Sequence, residues 1–124
     1  MMTNRLELVL MYWAAAKTGI VIVPMSTMLQ AAGLKPLLSD SDSLMIIADV
    51  SFAQLLNNIR QDLAAIKNNR YISVGGDVAP AGFVSFNKFI QTASKNEPPN
   101  QNYSTYKFIL LLLLTLIYFS EYQL

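Results

Sequence analysis

Apolar positions along the first part of the chain alternate between two spacings. Leu6, Val9, Leu10, Trp13 and Ala14 repeat at helical spacing and so share one face of a helix. Asn4 with Glu7 makes an Asn-x-x-Glu variant of the capping box, and Gly19 is the expected C-terminal cap because it adopts positive φ without a Cβ clash. Ile20 to Val23 is a continuous apolar run ended by Pro24, as suits a parallel strand buried on both faces. Leu34, Leu37 and Leu38 give a second apolar face. Pro36 is tolerable only in a first helical turn, so that helix is placed late and short, near Lys35 to Asp40. Leu44 to Ala48 reads as a second strand. Ser51 with Gln54 caps a third helix whose face is Phe52, Leu55, Leu56, Ile59, Leu63 and Ile66. Tyr71 to Val74 reads as a third strand, broken by Gly75-Gly76-Asp77. Phe86, Phe89, Ile90 and Ala93 mark a short last helix, and Lys95 to Asn102, with Pro98-Pro99, is a boundary.

Strands alternating with helices imply right-handed crossovers and a parallel sheet. The expected class is α/β: a partial three-layer domain over residues 1–99, with a short sheet of about three strands flanked by helices. A linker and a hydrophobic C-terminal helix are expected over 100–124.

Composition narrows the function classes. Charged residues are 14% of the chain and net charge is +1, against about 25% charged in ordinary soluble domains. No basic stripe occurs, so nucleic acid is not an expected partner. Cysteine and histidine are both absent. That removes disulfides, thiolate metal sites and the commonest general base and metal ligand. Arg5 and Glu7 interrupt any signal-peptide pattern, and a cytoplasmic location is expected.

Few residues invite a chemical role. Lys17 precedes the Thr18-Gly19 turn and is read as structural. Ser39-Asp40-Ser41-Asp42 clusters oxygens, yet a calcium loop needs about six ligands and a particular glycine, so a self-capping helix end is expected. Val74-Gly75-Gly76-Asp77 matches neither the P-loop nor the dinucleotide fingerprint and reads as a strand-ending turn. Met25 and Met28 are expected to fill core. No catalytic, cofactor-binding or metal-binding residue is assigned.

The run Tyr12-Trp13-Ala14-Ala15-Ala16-Lys17-Thr18-Gly19-Ile20-Val21-Ile22-Val23-Pro24 resembles the adenylate-forming enzymes, the AMP-dependent acyl-CoA synthetases. The likeness extends from about Asn4 to Pro99. It implies a family that activates a carboxylic acid with ATP and Mg²⁺, forms an acyl-adenylate and transfers the acyl group to coenzyme A. That chemistry uses a Ser/Thr/Gly-rich loop ending in Pro-Lys-Gly, an acidic residue for the ribose and a lysine from a mobile C-terminal domain. None of these maps onto this sequence, so no cofactor is expected for the chain itself. It resembles the scaffold that precedes the phosphate loop, a fragment cut at both ends. The implied reading is an inactive truncated ligase relative. The alternatives are a small membrane-anchored interaction protein and one part of a split ligase completed by a separate chain carrying the phosphate loop. The partners to expect are a membrane through Phe108 to Phe119, a complementing chain or a second copy.

Phe108 to Phe119 contains five consecutive leucines and one polar residue, Thr115. Twelve helical residues span about 18 Å, against a bilayer core of roughly 30 Å. Counting from Tyr103 to Tyr122 reaches the needed length, with tyrosines at both ends as interfacial belts. Three readings stand: a degenerate or out-of-frame ending, which is preferred; a C-terminal membrane anchor; and a segment folded back onto the sheet.

Overall fold

Tyr71, Ile72, Ser73 and Val74 are all buried, and a strand covered on both faces is what this run forms. A computed structural model describes residues 1–97 and places this strand at the middle of the sheet. The elements are α1 (Leu6–Thr18), α2 (Ala31–Asp40), β1 (Ile46–Asp49), α3 (Ala53–Ile59), β2 (Tyr71–Val74), β3 (Val84–Ser85) and α4 (Phe86–Gln91), with short 3₁₀ turns around α3 and before β2. The protein is α/β. Its three strands run parallel in the order β1-β2-β3, with Ile46 opposite Tyr71 and Ile72 opposite Val84.

Alternation along the strands divides the core into two clusters. Ile46, Ala48 and Tyr71 pack with Leu34 and Leu38 of α2, with Leu56 and Ile59 of α3, and with Leu63 and Ile66 beyond it. Ile72 and Val74 pack with Phe86 of α4, against which Met11 of α1 and Phe89 also lie. The expected face Phe52 to Ile66 is therefore real, although regular α-helix ends at Ile59 and a 3₁₀ turn and loop carry the rest.

Several expectations need correction. Ile20 to Val23 is not a strand, and Ile20, Val21 and Val23 are exposed. Met1 already occupies the outer edge of β1: its amino group donates to the Ile47 carbonyl at 3.0 Å, and the Asp49 N–H donates to the Met1 carbonyl at 2.9 Å. The third strand is instead Val84–Ser85, too short to leave a periodic signal. It pairs parallel to β2 after a helix-free connection of nine residues, Gly75 to Phe83. The face shared by Leu6, Val9, Leu10 and Trp13 points outward, while Leu8, Met11, Tyr12 and Ala15 turn toward the protein.

The caps differ too. Arg5, extended and without a side-chain cap bond, takes the N-cap position of α1 in place of Asn4. Asp49, not Ser51, caps the turn leading into α3 by accepting from the Ser51 N–H. The Gly19 cap holds: its φ is 71° and its N–H bonds the Ala15 carbonyl. Pro36 lies inside α2, whose ten residues begin at Ala31. A mid-helix proline costs about 3 kcal/mol. Full burial of Leu34 and Leu38, worth ~1.5–3 kcal/mol each, offsets it, and Pro36 itself faces solvent. Met25 packs against the first cluster, but Met28 is 74% exposed and fills no core.

Among the described residues no helix is long and apolar enough to cross a membrane. The expected hydrophobic segment Phe108 to Phe119 lies outside the described residues.

Candidate functional site

An open parallel sheet offers ligands the crevice beyond the carboxyl ends of its strands. Here β1 ends at Asp49 and β2 at Val74, followed by Gly75 and Gly76 with φ of 81° and 72°. Glycine is required at both, since other residues are strained at such angles. Arg5, arriving at the start of α1, crosses this end of the sheet. Its Nη1 meets Asp49 Oδ2 at 2.6 Å, its Nε meets Glu7 Oε2 at 3.0 Å, and its Nη2 donates to Glu7 Oε1 at 3.5 Å. The other Asp49 oxygen accepts from the Ser51 N–H at 3.1 Å and the Ser51 hydroxyl at 3.0 Å. A Cβ on Gly75 would stand 2.9 Å from Arg5 Nη1.

Burial alone pushes the Asp49 carboxyl up, but the Ser51 backbone and hydroxyl donors and Arg5 together hold it below its ordinary value. Glu7 is lowered as well, by its own backbone N–H first and then by Arg5, against an opposing effect of burial. Both carboxylates are thus kept ionised and engaged. The Met1 amino group, which donates to the Ile47 carbonyl, is pushed down by burial to about 6. With both oxygens of Asp49 and all three nitrogens of the Arg5 guanidinium bonded, the cluster ties the amino terminus and α1 to the sheet. It leaves no base aimed at an incoming substrate.

The opposite end of the core holds a second charged group. The Arg60 guanidinium lies 3.8 Å from the Tyr71 ring centroid and 5.2 Å from that of Phe83, and the two rings meet edge to face at 5.7 Å. Arg60 Nη2 donates to the Gly82 carbonyl at 2.8 Å, and the Asn57 amide donates to the Ala81 carbonyl at 3.1 Å. These bonds pin the connection between β2 and β3. Burial raises the Tyr71 phenol, and Arg60 opposes that shift. The Tyr71 hydroxyl, Arg60 Nε and the Ser73 hydroxyl are buried without a hydrogen-bond partner among the described residues.

An open hollow of about 250 Å³ lies among Asn69, Arg70, Val84, Lys88, Phe89 and Thr92. Its cations come from surface side chains, and no nucleophile stands beside a base within it.

The residues singled out in the sequence are dispersed. Lys17 is exposed and pairs with Glu97 at 2.8 Å. In the Ser39 to Asp42 stretch, the Ser41 N–H bonds the Leu37 carbonyl, its hydroxyl bonds the Leu38 carbonyl at 2.9 Å, and Asp42 turns the chain with φ of 50°. The expected self-capping helix end is what forms. Among the described residues no cluster of three or more His, Cys, Asp or Glu side chains is placed to hold a metal ion. The Arg5–Asp49 and Arg60–Tyr71 pairs were not legible, because each joins residues far apart in sequence. The one local signal was Asp49-Val50-Ser51, an Asp two residues before a serine N–H that it can cap.

Comparison with family models, with curated proteins and with solved structures finds no match to this chain.

Proposed function

We propose that this chain is a truncated relative of the AMP-forming acid–CoA ligases, a partial three-layer scaffold that does not activate carboxylates by itself. The observation that carries the reading is the junction from Tyr12 to Pro24, where a helix is closed by left-handed Gly19 and passes into an apolar run ended by proline. A parallel sheet following that junction is consistent with it. A fold of this class hosts many functions, so the activity is argued from the residues.

Acyl-adenylate formation requires donors that stabilise charge on the transferring phosphate, usually the largest catalytic contribution. The chain contains no Pro-Lys-Gly and no histidine. At the carboxyl ends of the strands, Arg5 is committed to Glu7 and Asp49. The purified full chain, given ATP, Mg²⁺ and a panel of carboxylic acids, is expected to release no pyrophosphate above background. Acid-dependent pyrophosphate release, retained through repeated purification, would overturn this reading.

A further inference from the structure

The outward face of α1 carries Leu6, Val9, Leu10 and Trp13, the last 67% exposed, and Ile20 and Val21 follow it directly with Val21 72% exposed. This is a contiguous stretch of sequence with large apolar side chains facing water, which ordinary monomer surfaces avoid. Along it the sole acidic residue is Glu7, already engaged by Arg5. The last described residue, Glu97, sits at the carboxyl end of the same helix, held to Lys17 through both carboxylate oxygens at 2.8 and 3.0 Å. The described residues therefore end beside the carboxyl end of this face.

Ten residues, 98–107, separate Glu97 from the uncharged segment Phe108 to Phe119. At about 3.3 Å each they reach as far as ~33 Å. The 13 residues of α1 extend only about 20 Å. We infer that Phe108 to Phe119 docks on the outward face of α1 and covers Leu6, Val9, Leu10 and Trp13.

The occupant follows from proximity and chemistry. Leu6, Val9, Leu10 and Trp13 are apolar, and Phe108 to Phe119 carries no charged residue. A short tether presents its segment at an effective concentration of about millimolar, so the segment outcompetes a second copy of the chain at micromolar concentration. Phe108 to Phe119 alone, about 18 Å if helical, falls short of a ~30 Å bilayer core, and the longer stretch Tyr103 to Tyr122 that reaches it carries Lys107 and Glu121, which docking on α1 leaves in water.

Trp13 is the only tryptophan and the chain lacks cysteine, so each can serve as a specific probe. In the full chain at micromolar concentration, shown monomeric by sedimentation, Trp13 emission should be blue-shifted and protected from acrylamide. The Leu111→Gln/Leu113→Gln variant should lose both the shift and the protection while keeping its far-ultraviolet dichroism. Leu10→Cys, combined in turn with Leu111→Cys, Leu112→Cys, Leu113→Cys and Leu114→Cys, should give an intramolecular disulfide in at least one pair. Water-exposed Trp13 emission in the monomer would overturn the inference, as would failure of every cysteine pair to close. Protection that grows with chain concentration assigns the face to a second copy. Protection that appears only with phosphatidylcholine vesicles assigns it to the membrane, and either result refutes the docking.

Discussion

Replacing Arg60 by alanine tests how the β2–β3 connection is held without a crossover helix. The guanidinium stacks 3.8 Å from the centroid of a fully buried Tyr71 ring. Such contacts run from about 0.5–1 kcal/mol when exposed to ~2 when desolvated, and a half-buried arginine falls between. Its bond to the Gly82 carbonyl adds about 1 kcal/mol, less than is usual for a charged donor because it is exposed. The lost methylenes against Phe83 add to the cost. Against these, removing a buried Nε that has no partner among the described residues returns about 1 kcal/mol. The net expectation for Arg60→Ala is a loss of about 2 kcal/mol. Arg60→Met keeps most of the apolar stem and also removes the unpartnered nitrogen, so its loss should be about half as large. Urea unfolding followed by circular dichroism reads both, with a lower midpoint at unchanged slope. Amide exchange should quicken at Val84 and Ser85. Stability of Arg60→Ala within about 0.5 kcal/mol of the parent would refute the reasoning, since that is the scatter of featureless surface substitutions.

Tyr71→Phe should raise stability by about 1 kcal/mol in urea unfolding, because it removes a buried hydroxyl that has no partner among the described residues while keeping the ring under Arg60; a destabilised variant would show that the hydroxyl is bonded. Gly75→Ala should cost about 1–3 kcal/mol, since the residue has φ of 81° and the new Cβ would meet Arg5 Nη1 at 2.9 Å; an unchanged thermal midpoint refutes this. In a chain whose free amine is that of Met1, the amine titrates at about 6 when folded and near 8 when unfolded, so between those values the unfolded chain binds more protons and stability rises with pH. The gain approaches ~2–3 kcal/mol across that window, and unfolding midpoints that are flat or falling from pH 6 to 8 would count against a buried amine.

The sheet shows where sequence pattern suffices and where it fails. Tyr71 to Val74 was legible to the residue because a buried strand between a loop and two glycines has no competing helical reading. The face from Phe52 to Ile66 was legible because apolar spacing survives the change from α-helix to turn. Ile20 to Val23 has the same composition as a strand, yet pairing depends on a free edge, and the edge of β1 belongs to Met1. No local pattern carries that competition. Pro36 failed for a related reason: the cost of a proline is local, but the burial of Leu34 and Leu38 that outweighs it is tertiary. The two arginine clusters were invisible because the partners of Arg5 and of Arg60 are separated by up to 44 residues.

α1 separates what a helix must bury from what surrounds it. From Leu6 to Ala16 its only charged side chain is Glu7, and apolar residues lie on both of its faces. Helices that are apolar all round are buried on all sides in the structures that use them. Met11 meets the cluster of Ile72, Val74 and Phe86, which accounts for one side. Periodicity identified the other side, Leu6 to Trp13, as a face to be buried, and the fold of residues 1–97 leaves it uncovered. The two facts agree once the face is taken as a requirement that the described elements do not meet. The same reasoning applies to Ile20 and Val21, whose strand-like composition asks for cover on both faces. An apolar pattern that the local fold leaves in water is therefore a positive signal for an interface.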